Sequence, residues 1–540
     1  MGTLKKSHRF ILVGLSALLL ILPWNTSFSG IILLIAFVPL LIIERYFYEN
    51  KEKNRSVVAF LYAYIVFLIW NLATTYWIVN ATMAGAIVAF VLNSLFMAIV
   101  FWLFHITHRA LGNRIGYFSL VVYWTSFEYL YMHVTVSWPW LNLGNGLGKD
   151  IRLIQWFELT GSLSATPWIL FINILLFLII LEYARQGSVR KKTLELILLI
   201  ILILFPVSYS LIRFYTYTET KNPYEIVVVQ PNIDPYNEKF GGLSTQEQLD
   251  IMLELADSLT GPETDYIVGP ETALDNNMWE NNLGMNPYIL QIKDFINQYP
   301  KAKFILGIQS MYNYGKVHKP TPTARKFRDA NAWWDSFNAS VQVDKTSKYQ
   351  VYHKSKLVIG VEKMPSLKII KSLEKFIINI GGSTGSYGTQ KERSTLNDPQ
   401  GTAKIGTLIC YESIYGEFVT DYLKKGANIL LVITNDGWWG NTPGYKQHLT
   451  YSSLRAIETR RSFARSANTG ISCFINQKGE ILQATNWWEP AVIKGVINSN
   501  EEITYYVKHG NFISRILSFF AALTFLYTIV ISIINKKKQT

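Results

Sequence analysis

Two cysteines in 540 residues, Cys410 and Cys473, cannot build a disulfide framework. The histidines do not cluster, and neither an H-E-x-x-H run nor paired C-x-x-C spacing occurs, so the sequence offers no metal centre. P-loop and dinucleotide-type glycine patterns are missing as well, and no cofactor is expected. Gly381-Gly382-Ser383-Thr384-Gly385 matches G-x-S-x-G after an apolar stretch at 376–380. A nucleophile elbow needs a helix after the turn, and Ser386-Tyr387-Gly388-Thr389 does not start one, so the segment reads as a flexible loop. Acidic residues are scarce, 38 against 51 Lys and Arg, which leaves a formal charge of +13. In a soluble protein that excess would raise the question of nucleic acid. Here much of it sits in short loops between apolar runs and at both termini, so no nucleic-acid partner is expected.

Apolar residues are what the chain has in plenty. Half the residues are hydrophobic and the mean hydropathy is +0.17, which points to a membrane protein. Apolar runs occupy residues 10–22, 30–43, 57–79, 84–104, 115–134, 165–181, 194–212 and 516–534. Most are long enough for a tilted span, which takes about 20 residues. The second is short and contains Pro39. The first reads as a retained helix, because no small-residue cleavage site follows it. Lys and Arg occur in every second loop: Arg45, Lys51, Lys53 and Arg55; Arg109 and Arg114; Arg185, Arg190, Lys191 and Lys192. Lys5, Lys6 and Arg9 precede the first run, and Lys536, Lys537 and Lys538 end the chain. The loops at 25–29 and 80–83 carry none. With eight spans this alternation puts both termini in the cytoplasm and residues 215–509 on the other side.

The expected organisation is therefore a multi-span α-helical bundle over 1–214, a soluble domain over 215–509, and a last membrane helix with a basic tail over 510–540. Glu128 falls inside the fifth run, where a carboxylate is either functional or hydrogen-bonded within the bundle. The loop Ser137-Trp138-Pro139-Trp140-Leu141-Asn142-Leu143-Gly144 suits an interfacial aromatic belt, or could line the entry to a site.

In the soluble part, β-branched runs alternate with polar helical stretches, the pattern of an α/β domain. Strands are expected at 226–229, 266–268, 304–307, 340–343, 405–409, 429–434, 471–475 and 491–497, and helices at 245–259, 288–297, 415–425 and 448–465. Polar residues with chemical potential follow the strands: Gln230-Pro231-Asn232, Gly269-Pro270-Glu271-Thr272, Cys410-Tyr411-Glu412 and Asn435-Asp436-Gly437-Trp438-Trp439-Gly440. Strand ends are where α/β folds assemble sites. Cys410 stands at an expected strand-to-helix junction, where helix N–H groups favour a thiolate; equally, it could be a small buried hydrophobe. His448 is a lone histidine and reads as structural. Lys354 cannot be told from a solvated surface lysine by composition.

Glu271, Lys354 and Cys410, in that order and each in its local context, resemble the nitrilase superfamily, whose members carry a Glu-Lys-Cys triad on an αββα sandwich. The multi-span flank makes the resemblance specific to the apolipoprotein N-acyltransferase family and extends it over nearly the whole chain. The motifs that carry it are Pro139-Trp140-Leu141-Asn142-Leu143-Gly144, Val229-Gln230-Pro231-Asn232-Ile233, Gly269-Pro270-Glu271-Thr272-Ala273, Ile409-Cys410-Tyr411-Glu412, and Asn435-Asp436-Gly437-Trp438-Trp439-Gly440. Gln447-His448 and Arg465-Ser466-Ala467-Asn468-Thr469-Gly470 follow in the family's order. One stretch departs. Lys356 stands where the family usually has a histidine, and Ile359-Gly360-Val361-Glu362 replaces Pro-Phe-Gly-Glu, with Glu362 and Pro365 in register. The triad lysine maps to Lys354 rather than Lys356.

The resemblance implies an acyltransferase of the bacterial inner membrane with its catalytic domain in the periplasm. Glu271 would be the general base, Cys410 the nucleophile, and Lys354 with the Tyr411 backbone N–H the oxyanion partners. A phospholipid would donate its acyl chain to Cys410 as a thioester, and the α-amine of a diacylglyceryl-cysteine on an apolipoprotein would accept it. Glu362 and Glu412 would support Lys354 or the amine's deprotonation. Trp438, Trp439 and Tyr411 would line the acyl pocket or its lid, Trp438 and Tyr411 being equally readable as core aromatics. A mobile lid is expected among the loops after Val358, Gly381 and Gly440, and the protein is expected to act as a monomer. The other readings are a membrane-tethered amidase of a small amide, or a non-catalytic membrane scaffold. The multi-span bundle counts against the first, and the intact triad against the second.

Overall fold

The computed structural model describes residues 4–134, 137–363 and 386–539. The G-x-S-x-G segment, the apolar stretch before it and Pro365 lie outside them. The chain divides into two compact units: Met1–Tyr76, Ala86–Thr216 and His509–Thr540 form one, Trp77–Gly85 and Tyr217–Lys508 the other.

The first unit is helical. Among the described residues, seven helices are long and apolar enough to cross a membrane: Lys6–Trp24, Gly30–Glu49, Val57–Thr75, Gly85–Tyr131, Ser162–Gln186, Arg190–Thr216 and Phe512–Lys537. The fourth has 47 residues, roughly 70 Å of helix against a hydrocarbon core of about 30 Å. It is broken at Gly112, whose φ of 77° and ψ of −175° interrupt the helical path. Two of the eight apolar runs thus lie on either side of that break. Pro39 stands in the first turn of Val38–Glu49, where its missing N–H leaves no helix bond unmade. Glu128 is buried and engaged: the Trp124 indole and the Leu143 backbone N–H donate to Oε1, each at 3.0 Å, and the Thr166 hydroxyl donates to Oε2. Of the two readings of Glu128, the hydrogen-bonded one is what the bundle shows. The carboxylate pins the Trp-rich loop through Leu143.

The second unit holds two sheets. The eight-stranded sheet contains β1 (Pro223–Gln230), β2 (Tyr266–Val268), β3 (Leu274–Trp279), β4 (Lys303–Gly315), β5 (Arg325–Lys326), β6 (Trp333–Val343), β7 (Gln350–His353) and β14 (Ala491–Asn498). Its order is β14-β1-β2-β4-β6-β5, with β3 on β4 and β7 on β6. The six-stranded sheet contains β8 (Leu396–Asn397), β9 (Lys404–Ile409), β10 (Ile429–Thr434), β11 (Phe463–Ala467), β12 (Cys473–Ile475) and β13 (Ile481–Leu482), ordered β13-β12-β11-β10-β9-β8. The sheets pack on each other with β1 against β11, where the Ser466 hydroxyl donates to the Val229 carbonyl at 2.7 Å. Helices Thr245–Asp257 and Pro287–Asn297 cover the first sheet, burying Leu249, Met252, Ile292 and Ile296 on Val227, Ile267 and Leu306. Helices Gly416–Lys424 and Pro443–Thr459 pack with the second sheet. This is the αββα sandwich.

Three expectations differ from what forms. The helix expected over 448–465 ends at Thr459, where Arg460 turns left-handed at φ 49°. Phe463–Ala467 is instead a central buried strand whose Arg465 pairs with a buried aspartate, so its arginine does not mark a solvated helix face. Cys410 does not open an α-helix. Residues Cys410–Ile414 form a single 3₁₀ turn, and the helix begins at Gly416. The stretch at 80–83, read as a loop between spans, groups with the α/β unit. There the Trp77 ring sits 4.8 Å from that of Trp439, and the Asn80 side chain donates to the Trp439 carbonyl at 2.8 Å.

Candidate active site

The second unit gathers its chemistry at the ends of four strands. Glu271 follows β2, Lys354 follows β7, Cys410 follows β9 and Asn435-Asp436 follow β10. Because β9 and β10 are parallel, the last two groups leave the sheet at the same edge. The Glu271 turn is brought tight against β4 by a glycine. A Cβ on Gly307 would lie 2.3 Å from the Thr272 nitrogen.

Lys354 is buried, and its Nζ donates to Glu271 Oε1 at 2.8 Å and to Glu362 Oε1 at 2.9 Å. The Asn338 amide on β6 donates to both of those oxygens at 2.8 Å, and the Asn435 N–H donates to Glu271 Oε2 at 3.2 Å. Burial works against the lysine's charge, but the two carboxylates outweigh it and hold the ammonium well above its ordinary pKa. Lys354 therefore stays a cation across the physiological range. Lys356 lies outside this network. Its ammonium sits 4.6 Å from the Tyr415 ring, and burial lowers its pKa.

The Cys410 thiol is buried within the electrostatic reach of Glu271 and Lys354. Burial and then the Glu271 charge push it well above an ordinary thiol, with Lys354 and a hydrogen bond from Thr434 opposing. The expectation of a thiolate favoured by a helix terminus is thus reversed: burial disfavours the thiolate first, the Glu271 carboxylate adds to it, and the α-helix starts only at Gly416. A neutral thiol beside a carboxylate needs a base to become a nucleophile, and Glu271 is placed to be one. Cys410 also has a φ of 51°, a left-handed value that strains a side-chain-bearing residue.

Two buried assemblies hold that strained turn. Glu412 accepts from the Ile409 and Ser355 N–H groups at 2.9 and 2.6 Å and from the Tyr352 hydroxyl at 2.7 Å. It joins the cysteine turn to the lysine loop, rather than touching Lys354. On the other side His448 Nε2 lies 3.1 Å from the Cys410 carbonyl and 2.9 Å from the Ser413 hydroxyl. Its Nδ1 is 3.0 Å from Asp436, which also accepts from Arg465 at 2.6 Å. Asn338, Asp436, His448 and Arg465 were not among the expected site residues. Asp436, His448 and Arg465 belong to motifs that carry the family resemblance, and their burial together distinguishes them from loop residues. Tyr411 is buried with its ring against Tyr415, whereas Trp438 is half-buried and packs on the exposed rings of Tyr236 and Phe240.

The Asp436 pairing gives the fold a pH dependence. Burial alone would raise this carboxyl, but Arg465 and His448 hold it at about 2. A depressed carboxylate stabilises the fold above its unfolded pKa of about 3.9, and the stabilisation is lost as pH falls toward 2. The shift corresponds to roughly 2–3 kcal/mol. The thermal midpoint should fall more steeply between pH 5 and 3 in the wild type than in Asp436→Asn. Parallel curves would refute the assignment.

Comparison with known proteins agrees with this architecture. Residues 227–505 match the carbon-nitrogen hydrolase family, and residues 16–175 match the apolipoprotein N-acyltransferase N-terminal domain. A protein from Chlorobaculum tepidum named apolipoprotein N-acyltransferase is 27% identical over 523 residues, 94% of each chain. One of the same name from Geobacter metallireducens is 26% identical over 513 residues, 93% of this chain and 92% of its own. Among solved structures, Saccharomyces cerevisiae Nit3, a member of branch 10 of the nitrilase superfamily, aligns with 54% of this chain and 96% of its own at a TM-score of 0.37 and 12% identity.

Proposed function

Because the chain belongs to the carbon-nitrogen hydrolase family, we propose that it is the membrane-bound acyltransferase of that family, moving a fatty acyl chain from a phospholipid through Cys410 to the N-terminal α-amine of a diacylated apolipoprotein. The observation that carries the reading is the convergence of a buried thiol, a carboxylate and a lysine locked between two carboxylates. The relatives that match along nearly the full length supply the substrate class.

Glu271 takes the thiol proton as sulfur attacks the ester carbonyl. The tetrahedral oxyanion is held by the Lys354 ammonium and the Tyr411 N–H. The lysophospholipid oxygen leaves with the proton from Glu271, and a thioester remains on Cys410. The acceptor amine then attacks, loses a proton to Glu271, and the thiol is reformed as the amide departs. Since the thiol is neutral at rest, proton transfer accompanies attack instead of preceding it. Both substrates are lipid-anchored. A soluble enzyme would have to extract each chain at about 0.8 kcal/mol per CH₂. A site held at the periplasmic face of the inner membrane, with both termini cytoplasmic and the protein acting as a monomer, avoids that cost.

The test uses purified full-length protein and a phospholipid labelled in its acyl chain. A hydroxylamine-labile adduct should form on Cys410, located by peptide mapping, and should discharge onto added diacylated lipopeptide. Absence of an adduct would sink the reading. Discharge to water alone would make the enzyme a phospholipase.

A further inference from the structure

Lys239 stands outside the network just described, yet it is nearly as buried as Lys354, with 2% of its surface exposed. Its ammonium has no carboxylate within ion-pair distance among the described residues. The Phe240 ring lies 5.9 Å from Nζ. A buried cation without a counter-ion is costly and is retained where a ligand supplies the anion.

The acids around it are engaged elsewhere. Asp234 Oδ1 accepts from the Tyr236 N–H at 2.8 Å and Oδ2 from the Asn237 amide at 2.7 Å. Glu238 Oε2 accepts from the Asp234 N–H at 2.8 Å, and Asp275 Oδ1 accepts from the Thr245 hydroxyl at 3.1 Å. The same contacts make the loop a fixed frame. The Lys239 N–H donates to the Asp234 carbonyl at 2.9 Å, and the Gln248 amide donates to the Lys239 carbonyl at 2.9 Å. The backbone that carries the lysine is therefore fixed at both its N–H and its carbonyl.

Two further features say what kind of anion it would meet. The charges of Asp275 and then Glu271 act on the ammonium, and the loop meets the site through the Phe240 ring, 6.0 Å from that of Trp438, which lies three residues after the Asn435 whose N–H donates to Glu271. Burial lowers the Lys239 pKa to about 8, which leaves it mostly cationic at pH 7 and gives it much to gain from an anion. Two aromatic rings of the same loop face solvent: Phe240 is 60% exposed and Tyr236 51%, and both pack on Trp438. A cation rimmed by exposed aromatic rings suits an amphiphile that carries an anionic group next to acyl chains.

Resting on the reading of Cys410 as the acyl carrier, we propose that Lys239 is the anchor for the phosphodiester of the acyl donor. The phosphate supplies a counter-ion in contact, where Asp275 and Glu271 act only at longer range, and so sets the donor ester in register with Cys410. The acceptor has no phosphate, so this subsite would separate donor from acceptor on a single cysteine.

The test compares two acyl donors on the full-length enzyme in phosphate-free buffer: a phospholipid and a p-nitrophenyl ester of the same fatty acid. Formation of the Cys410 adduct is followed for both. In Lys239→Met the ratio of kcat/KM for phospholipid over p-nitrophenyl ester should fall ten- to a hundredfold, chiefly through KM for the phospholipid. Lys239→Arg, which keeps the charge, should recover much of that ratio. An unchanged ratio, whether both donors slow together or neither does, overturns the proposal, as does a fall in Lys239→Arg as deep as in Lys239→Met. Competition by millimolar inorganic phosphate strong enough to abolish phospholipid use would assign the site to free phosphate and overturn the headgroup assignment. If the wild type forms no adduct with either donor, the underlying reading of Cys410 has failed, and the Lys239 comparison is not what failed.

Discussion

Replacing Glu271 by glutamine should slow acylation of Cys410 on the order of 10³-fold, the middle of what a general base contributes. The reason lies in the resting state of the thiol. Burial and the Glu271 charge hold it neutral, so attack on an ester depends on a base that accepts the proton as the bond forms. Glutamine keeps the shape and loses the base. It also sets an amide beside donors: Lys354 and Asn338 meet Oε1, and the Asn435 N–H meets Oε2. One of these contacts must become donor against donor. The pH profile distinguishes lost base from lost shape. Removing the negative charge removes the second-largest force raising the thiol, so its pKa falls, and the residual rate of Glu271→Gln should climb with pH toward 9. Stopped-time measurement of labelled adduct across pH 6–9 decides it. A loss of less than tenfold, or a residual rate flat in pH, would exclude Glu271 as the base.

Lys354→Met should be as damaging to activity and more so to stability. Loss of an oxyanion donor costs about 10²–10³ in rate. Loss of this one also leaves Glu271 and Glu362 buried, both bonded to Asn338 and with no cation between them. Removing one partner of a buried ionic cluster destabilises by about 3–5 kcal/mol. Adding Glu362→Gln to Lys354→Met removes one of the stranded charges and should return part of the thermal midpoint without returning acyl transfer. That split separates the lysine's structural role from its chemical one. If the double variant regained activity along with stability, Lys354 would be a scaffold residue only.

Part of this site was legible in the sequence because two of its three candidate reacting groups, Glu271 and Cys410, stand just after strands whose apolar runs are unmistakable. Tyr266–Val268 and Ile429–Thr434 form at the residues where periodicity places them. What could not be read was whatever depends on burial of charge. Arg465 looks like one more basic residue at the end of a polar helix until Asp436 is seen beside it in the core. Glu412 looks like a partner for the lysine, and is instead a bracket for backbone N–H groups arriving from a loop more than fifty residues earlier. The short strands β3, β7 and β11 were hidden for the same reason: their polar residues are satisfied by distant partners, which no local window contains. The polarity of the cysteine's surroundings was misjudged because a 3₁₀ turn and an α-helix look alike over five residues.

The pairing of β1 with β14 has a consequence for how the α/β unit comes into being. Pro223 lies opposite Asn498 and Gln230 opposite Ala491, so the first strand of the unit has one neighbour drawn from its far end. Until the ribosome has delivered that last strand, β1 presents an open edge whose middle, Ile226 to Val229, is apolar. Contacts of such sequence separation close slowly and only after the intervening chain has found its place. A chain cut short before Asn498 should therefore aggregate, since β1 then lacks its antiparallel partner.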